Sequence, residues 1–132
     1  MIIAKKSLGQ NFLIDQEILE LIINLTSIEG KSVLEIGPGT GNLTSLILKK
    51  KPKEFCVIEK DNTLAEKLAN NYKNKIKVIN EDVLKIDENL LFSEKIKVFG
   101  NLPYNISTEI LCKWIVSLKD YFWFDITDFF YI

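Results

Sequence analysis

The turn Asn101-Leu102-Pro103-Tyr104 follows directly on the apolar run Ile96-Lys97-Val98-Phe99, some sixty residues downstream of Glu35-Ile36-Gly37-Pro38-Gly39-Thr40-Gly41. These residue types suit one piece of chemistry: holding an amino nitrogen of a nucleic-acid base while it takes up a methyl group. The exocyclic amine of adenine is a weak nucleophile, because its lone pair is delocalised into the ring, so it must be held and not merely deprotonated. The Asn101 side-chain oxygen and the Leu102 carbonyl can each accept one amine hydrogen, drawing the nitrogen towards sp3 geometry and aiming its lone pair at the incoming methyl. Tyr104 then offers a face on which the base can stack. Taken alone, the four residues read more readily as a turn after a strand. The rest of the chain decides between the two readings.

The elements that must position these groups are legible as switching apolar periodicity. Asp15 is placed to cap a helix from about Gln16 to Ser27, with Ile18, Leu21, Ile22 and Leu25 on one face, and Gly30 closes that element. Ser32 to Ile36 reads as a short strand, followed by the glycine turn and a helix carrying Leu43, Leu46 and Ile47. Phe55 to Ile58 is a second strand, Asp61 starts a helix with Leu64, Ala65, Leu68 and Tyr72, Lys75 to Asn80 is a third strand and Ile96 to Phe99 a fourth. Ser107 or Thr108 is predicted to cap a last helix with Ile110, Leu111, Trp114, Ile115 and Leu118 as its stripe. Short apolar strands alternating with amphipathic helices imply parallel pairing in a three-layer α/β sandwich.

In such a sheet, ligands bind beyond the carboxyl ends of the strands, where all the polar candidates fall. The glycines at 37, 39 and 41 match neither a phosphate loop, which would end in Gly-Lys-Ser/Thr, nor the dinucleotide Gly-x-Gly-x-x-Gly. Spaced at every second position, they let a ligand lie almost against backbone. Glu59, about twenty residues past the loop, can accept from both hydroxyls of a ribose, and Asp82, after the third strand, can accept from an adenine amino group. Each acid alone reads as a solvated loop residue. Together, at the ends of consecutive strands, they describe an adenosine site. A nucleoside site without phosphate-binding groups points to S-adenosylmethionine over NAD or ATP.

Composition sets the bounds. The 132 residues, 47% of them apolar, can bury one core. No long apolar run spans a membrane and Met1 to Lys6 is too short for a secretory signal, so a cytoplasmic location is expected. The absence of histidine, with Cys56 and Cys112 far apart, removes the usual zinc sites and every histidine-based triad, so no metal is expected. Both cysteines are expected to be small buried hydrophobes. A net charge of −1 does not advertise a nucleic-acid binder, and with no arginine any phosphate contact must use lysine. Lys5 and Lys6 stand without acidic neighbours until Asp15. The cluster Lys49-Lys50-Lys51-Pro52-Lys53 falls where a helix should end and is explained by the negative end of the helix dipole.

Leu8-Gly9-Gln10-Asn11-Phe12-Leu13, ahead of the first helix, has no secondary-structure need for its two side-chain amides; an arm packed by Leu8, Phe12 and Leu13 is the plainer reading. Lys6 to Asp15, the Glu35 to Thr44 loop, Glu59, Glu81-Asp82-Val83 and Asn101 to Thr108 resemble, in that order, the ribosomal RNA adenine N6-dimethyltransferase family, in its small-subunit branch. The resemblance covers roughly residues 4 to 120. It implies a Rossmann-like S-adenosylmethionine-dependent methyltransferase fold followed by a small helical domain, and dimethylation of two adjacent adenines in small-subunit RNA, with that RNA or the immature small subunit as partner. By the same resemblance Asn11 and Leu13 contact the cofactor, with Gln10 close by, and Gly37 lines its methionine end. Glu35 helps to orient the methionine amino group, Glu59 holds the ribose, Asp82 binds the adenine, and Asn101 bridges cofactor and target. Leu102 is implied as the second acceptor and Tyr104 as the stacking surface for a base that has left its own stack. No dedicated base is required, because the methylated amine is acidic enough to lose its proton to water.

The resemblance also implies a chain truncated at its C-terminus. Residues 1–120 read as the N-terminal part of the methyltransferase domain, and 121–132, with seven aromatics and no lysine, as an aberrant tail from a truncated or shifted reading frame. The family's helical domain is expected to be absent, and a sheet stopped at its fourth strand to expose an edge and favour self-association. Activity of such a chain is doubtful. The alternatives are an adenine methylase of large-subunit RNA or DNA, the arm and Leu102 favouring RNA, and a non-catalytic module for RNA binding or ribosome assembly.

Overall fold

Hydrophobic runs covered on both faces can only sit in the middle of a sheet, and Ser32–Ile36, buried at every position, does so. The computed structural model describes residues 16–100, 102, 104–117 and 124–131. The elements are α1 (Gln16–Ile23), β1 (Ser32–Ile36), α2 (Asn42–Lys49), β2 (Glu54–Ile58), α3 (Asn62–Tyr72), β3 (Lys77–Ile79), β4 (Ile96–Gly100), α4 (Tyr104–Ser117) and β5 (Phe124–Tyr131). The strands form one sheet in the order β3-β2-β1-β4-β5, every pair parallel. The chain thus runs outward from β1 to β3 and then crosses back to β4, and the carboxyl ends of β1 and β4 flank the crevice where it reverses.

The sheet divides two apolar cores by strand alternation. Val33, Phe55, Val57 and Phe99 face α1, α2 and α3, meeting Leu19, Ile23, Leu46, Ile47 and Leu68. Leu34, Ile36, Ile58 and Val98 face the other way, against Ile110 and Trp114 of α4 and Val83 of the β3–β4 connection. This is the three-layer α/β sandwich that the periodicity predicts.

Several boundaries differ from expectation for physical reasons. α1 ends at Ile23, four residues before Ser27, and its buried positions are Leu19 and Ile23, leaving Ile18, Leu21 and Leu25 exposed. β3 is only Lys77–Ile79, because a 3-10 turn over Lys73–Lys75 takes up the chain ahead of it. α4 begins at Tyr104, so Ser107 and Thr108 lie inside the helix instead of capping it. Its packed side is Ile110 and Trp114, with Leu111 and Ile115 outward. Cys56 is buried as expected; Cys112 is exposed. The sheet does not stop at four strands, since Phe124–Tyr131 continues it parallel to β4.

A polar brace ties α4 to the connection after β3. Lys113 Nζ donates to Glu88 Oε1 at 2.6 Å, to Val83 O at 2.7 Å and to Ile86 O, while Trp114 Nε1 donates to the same Glu88 oxygen at 2.9 Å. Glu88 is 2% exposed, so its charge is tolerable only with both donors in place. Lys113→Met should therefore cost about 3 kcal/mol in urea unfolding, whereas Lys113→Met combined with Glu88→Met should recover much of that loss by removing both charges together. A double-variant loss equal to the sum of the losses in Lys113→Met and Glu88→Met alone would show that the brace carries no coupling.

Candidate active site

The glycine loop is built to keep side chains out of the way. Gly37, Gly39 and Gly41 all adopt positive φ, at 64°, 58° and 90°. At Gly41, the residue before α2, a side chain would be doubly penalised, by the left-handed backbone and by a Cβ 3.1 Å from Leu68 Cδ2. At Gly39 a Cβ would meet nothing within 4 Å, so open space stands over the backbone there. The loop is anchored at its start, where Gly37 N–H donates to Ile58 O at 2.9 Å, and at its end, where Gly41 N–H donates to Pro38 O at 3.0 Å.

Glu59 sits at the side of that space. Its Oε1 accepts from Gly39 N–H at 3.0 Å and its Oε2 from Asp61 N–H at 2.9 Å, so one carboxylate ties the β1 loop to the start of α3. Each oxygen retains lone-pair capacity, and the group is 8% exposed. Asn80 holds the strand end beneath it, donating from Nδ2 to Glu59 O at 3.0 Å. Asp82 lies beyond β3, accepting from Leu84 N–H at 3.0 Å through Oδ1 while Oδ2 lies 3.8 Å from Lys60 Nζ. The fold thus puts Gly37, Gly39, Glu59 and Asp82 at the carboxyl edge of β1, β2 and β3.

Glu35 is placed differently. It lies inside the sandwich at 1% exposure, and Thr44 Oγ1 donates to its Oε1 at 2.6 Å. Burial pushes its carboxyl up to about 8, against the Thr44 hydrogen bond and with the Glu59 charge adding to the rise.

On the other side of the crevice, Leu102 folds its half-buried side chain back over Gly100 and Ile36, so that a Cβ on Gly100 would come 3.3 Å from Leu102 Cδ1. That apolar anchor fixes where the chain leaves β4. Tyr104 opens α4, and its side chain lies outside the described residues, as do Asn101 and the arm with Gln10, Asn11 and Leu13. The Glu88–Lys113–Trp114 brace reaches this side of the site from below, linking the segment that follows Asp82 to the helix that follows Leu102. Sequence reading passes over it. Its signal is Lys113, a cation set next to Trp114 and three residues after Ile110, on the packed side of α4. Among the described residues no group of three acids or cysteines is disposed to hold a metal ion.

A parallel sheet ordered β3-β2-β1-β4-β5, with a glycine loop after its central strand and carboxylates at the ends of the next two, defines the Rossmann-like fold of S-adenosylmethionine-dependent methyltransferases. The family model "Ribosomal RNA adenine dimethylase" matches residues 1–126, and the chain belongs to that family. It is 61% identical over 122 residues to ribosomal RNA small subunit methyltransferase A of Pelagibacter ubique, covering 92% of this chain and 47% of the relative. The protein of the same description from Wolbachia pipientis wMel is 45% identical over 119 residues, covering 87% and 42%. The chain therefore spans about half the length of the curated relatives it matches. Among solved structures it is similar to the 23S rRNA methyltransferase ErmE, at TM-score 0.66 and 30% identity over 79% of this chain and 42% of that one. A dimethyladenosine transferase from Plasmodium falciparum follows at TM-score 0.60 and 30% identity, over 77% and 37%.

The raised Glu35 gives a pH signature. Between about pH 5 and pH 8 the unfolded chain has lost the Glu35 proton and the folded chain keeps it, so the folded state binds more protons and stability falls as pH rises. Glu35→Gln keeps an acceptor for Thr44 and has no proton to lose, so it should flatten that part of the stability profile in urea titrations. An unchanged slope in the variant would show that Glu35 is ionised in the fold.

Proposed function

We propose that the chain carries the cofactor-binding and amine-positioning part of an enzyme that dimethylates adjacent adenines of small-subunit ribosomal RNA at N6, using S-adenosylmethionine. The observation that carries this reading is the open space over Gly39 with the Glu59 carboxylate hydrogen-bonded at its wall. The site suits a nucleoside: acceptors at two strand ends, backbone that a ligand can approach closely, and a lysine, Lys60, that lies against Asp82 instead of facing the loop. S-adenosylmethionine supplies an electrophilic methyl group on a sulfonium, which needs alignment more than activation.

The roles then follow from chemistry. The free lone pairs of Glu59 accept from the ribose hydroxyls, Asp82 accepts from the adenine amine, and Gly37 lets the methionine end lie against backbone, with Asn11 and Leu13 as further cofactor contacts. Asn101 and the Leu102 carbonyl accept the two hydrogens of the target amine, which fixes the direction of its lone pair, and Tyr104 stacks on the base. The proton of the methylated amine passes to water. Leu102 serves this through its anchor on Gly100 and Ile36, because a carbonyl that accepts in the transition state must already be aimed.

The partner is small-subunit rRNA, or the immature small subunit, in the cytoplasm; among the described residues no helix is long and apolar enough to cross a membrane. The identity to small-subunit relatives supports this target. Large-subunit RNA is the second reading, favoured by the likeness to ErmE.

At about 100 times its Kd, S-adenosylmethionine should stabilise the chain by about 2.7 kcal/mol, read as a rise in melting temperature. In Glu59→Ala that ligand-dependent increment should vanish, whatever the variant's own baseline. Any labelled methyl that the chain transfers should appear in immature small subunits and not in large-subunit RNA. An undiminished increment in Glu59→Ala would contradict the assignment of the ribose site.

A further inference from the structure

Two hollows lie at the amino edge of the sheet, opposite the glycine loop. The smaller, of about 390 Å3, is bounded by the turn after α1 together with Glu29 and Lys49 to Lys51. The larger, of about 850 Å3, runs past Lys49, Lys51 and Lys53 to Lys75 and Lys77, with Glu54, Tyr72 and Phe92 in its wall. The two share Lys49 and Lys51. Six lysines and two glutamates line the pair, a concentration of positive charge in a chain whose net charge is −1.

Helix-dipole compensation accounts for Lys49 and Lys50 alone, since the effect falls off within the last turn. Lys51 has left the helix with φ 56°, Lys75 ends the turn after α3 and Lys77 opens β3. The strip is held by backbone: Gly30 N–H donates to Lys51 O at 3.0 Å and Lys53 N–H to Lys31 O at 2.8 Å, joining the approaches to β1 and β2. Within the strip Lys53 already pairs with an acid, its Nζ donating to Oε1 of Glu94 at 3.2 Å. The Ser32 hydroxyl and Lys53, with Lys31 behind, hold its carboxyl below the usual range. The carboxyl edge has the opposite character, carrying Glu59, Asp61, Glu81 and Asp82 beside Lys60, which lies 3.8 Å from Asp82, a balance of charge that disfavours phosphate.

We propose that this lysine-lined amino edge is a second contact surface for RNA, taking an unpaired stretch whose phosphates lie on Lys49 and Lys51 and whose bases reach the half-buried Phe92. The proposal rests on the reading that the substrate is RNA. It explains how a chain with an acidic working edge keeps hold of a polyanion: the base is presented at one end of the sheet while backbone charge is neutralised at the other. An aromatic ring in the wall of a lysine-lined hollow suits unstacked bases, which every sequence offers.

The test is fluorescence anisotropy of a labelled unstructured RNA of about 20 nucleotides with the full chain, titrated between about 50 and 200 mM salt. Lys49→Gln combined with Lys51→Gln should weaken binding at least about fivefold at the lower salt and reduce the slope of log affinity on log salt by about 1.4, or about 0.7 for each phosphate that is no longer neutralised. Lys67→Gln combined with Lys85→Gln changes net charge equally and should leave both unchanged. Phe92→Leu should lower affinity without altering the slope. Equal losses in the two double variants, an absence of RNA affinity in the parent chain, or displacement by polyglutamate as effective as by unlabelled RNA would each overturn the proposal. The S-adenosylmethionine-dependent melting shift is read in parallel on every variant. Its loss in the parent chain with RNA binding intact would sink the enzymatic reading and leave this surface standing.

Discussion

Glu59 is the point on which the site depends. Two backbone amides from different segments, Gly39 and Asp61, converge on its two oxygens at 3.0 and 2.9 Å. A glycine loop with three positive φ values is costly to order, because glycine loses more conformational freedom on folding than any other residue. The carboxylate offsets part of that cost by fixing the middle of the loop to the end of β2, while Gly37 N–H to Ile58 O fixes its start. The same contact leaves one flank of the carboxylate towards the open space over Gly39. Architecture and ligand capacity therefore share one side chain.

The second side of the crevice is set by a different kind of force. Leu102 is pinned by apolar contact over Gly100 and Ile36, and α4 beyond it is held by the charge-assisted brace of Lys113 on Glu88 and two carbonyls. Because Glu88 belongs to the segment that follows Asp82, the two sides of the crevice meet through a buried ion pair as well as through the sheet. Buried pairs of this kind add little net stability over apolar packing but tolerate no loss of one partner, which suits a contact whose use is register.

Much of this was legible in the sequence. Asp61 is read as the start of a helix and caps it in the fold, accepting from Leu64 N–H at 2.9 Å; the four strand cores, the glycine turn and the parallel three-layer arrangement follow from apolar runs and their spacing. The misreadings have local causes. In α1 a long apolar stripe offered two possible inner faces, and tertiary packing chose Leu19 and Ile23. In α4 hydroxyl residues that favour caps sit inside a helix begun earlier, at Tyr104. The aromatic-rich segment after 120 carries no turn or alternation that separates a strand from a tail, yet Phe124–Tyr131 pairs with β4. Glu88 and Lys113 are twenty-five residues apart, and no local pattern announces a pair at that distance. Lys49 and Lys50 do stand at the end of α2, while Lys75 and Lys77, which line the same hollow as Lys49, are near it only in space.

The central claim is that the carboxyl edge of β1, β2 and β3 is a nucleoside site. Amide nitrogen–proton NMR spectra of the isotope-labelled chain, titrated with S-adenosylmethionine, address it most directly. Saturable shifts concentrated at Gly37, Gly39, Glu59, Asp61 and Asp82, with the amino-edge amides of Lys51 and Lys53 unmoved, are the predicted result. Shifts that fail to saturate, or that spare Gly39 and Asp61, would contradict it.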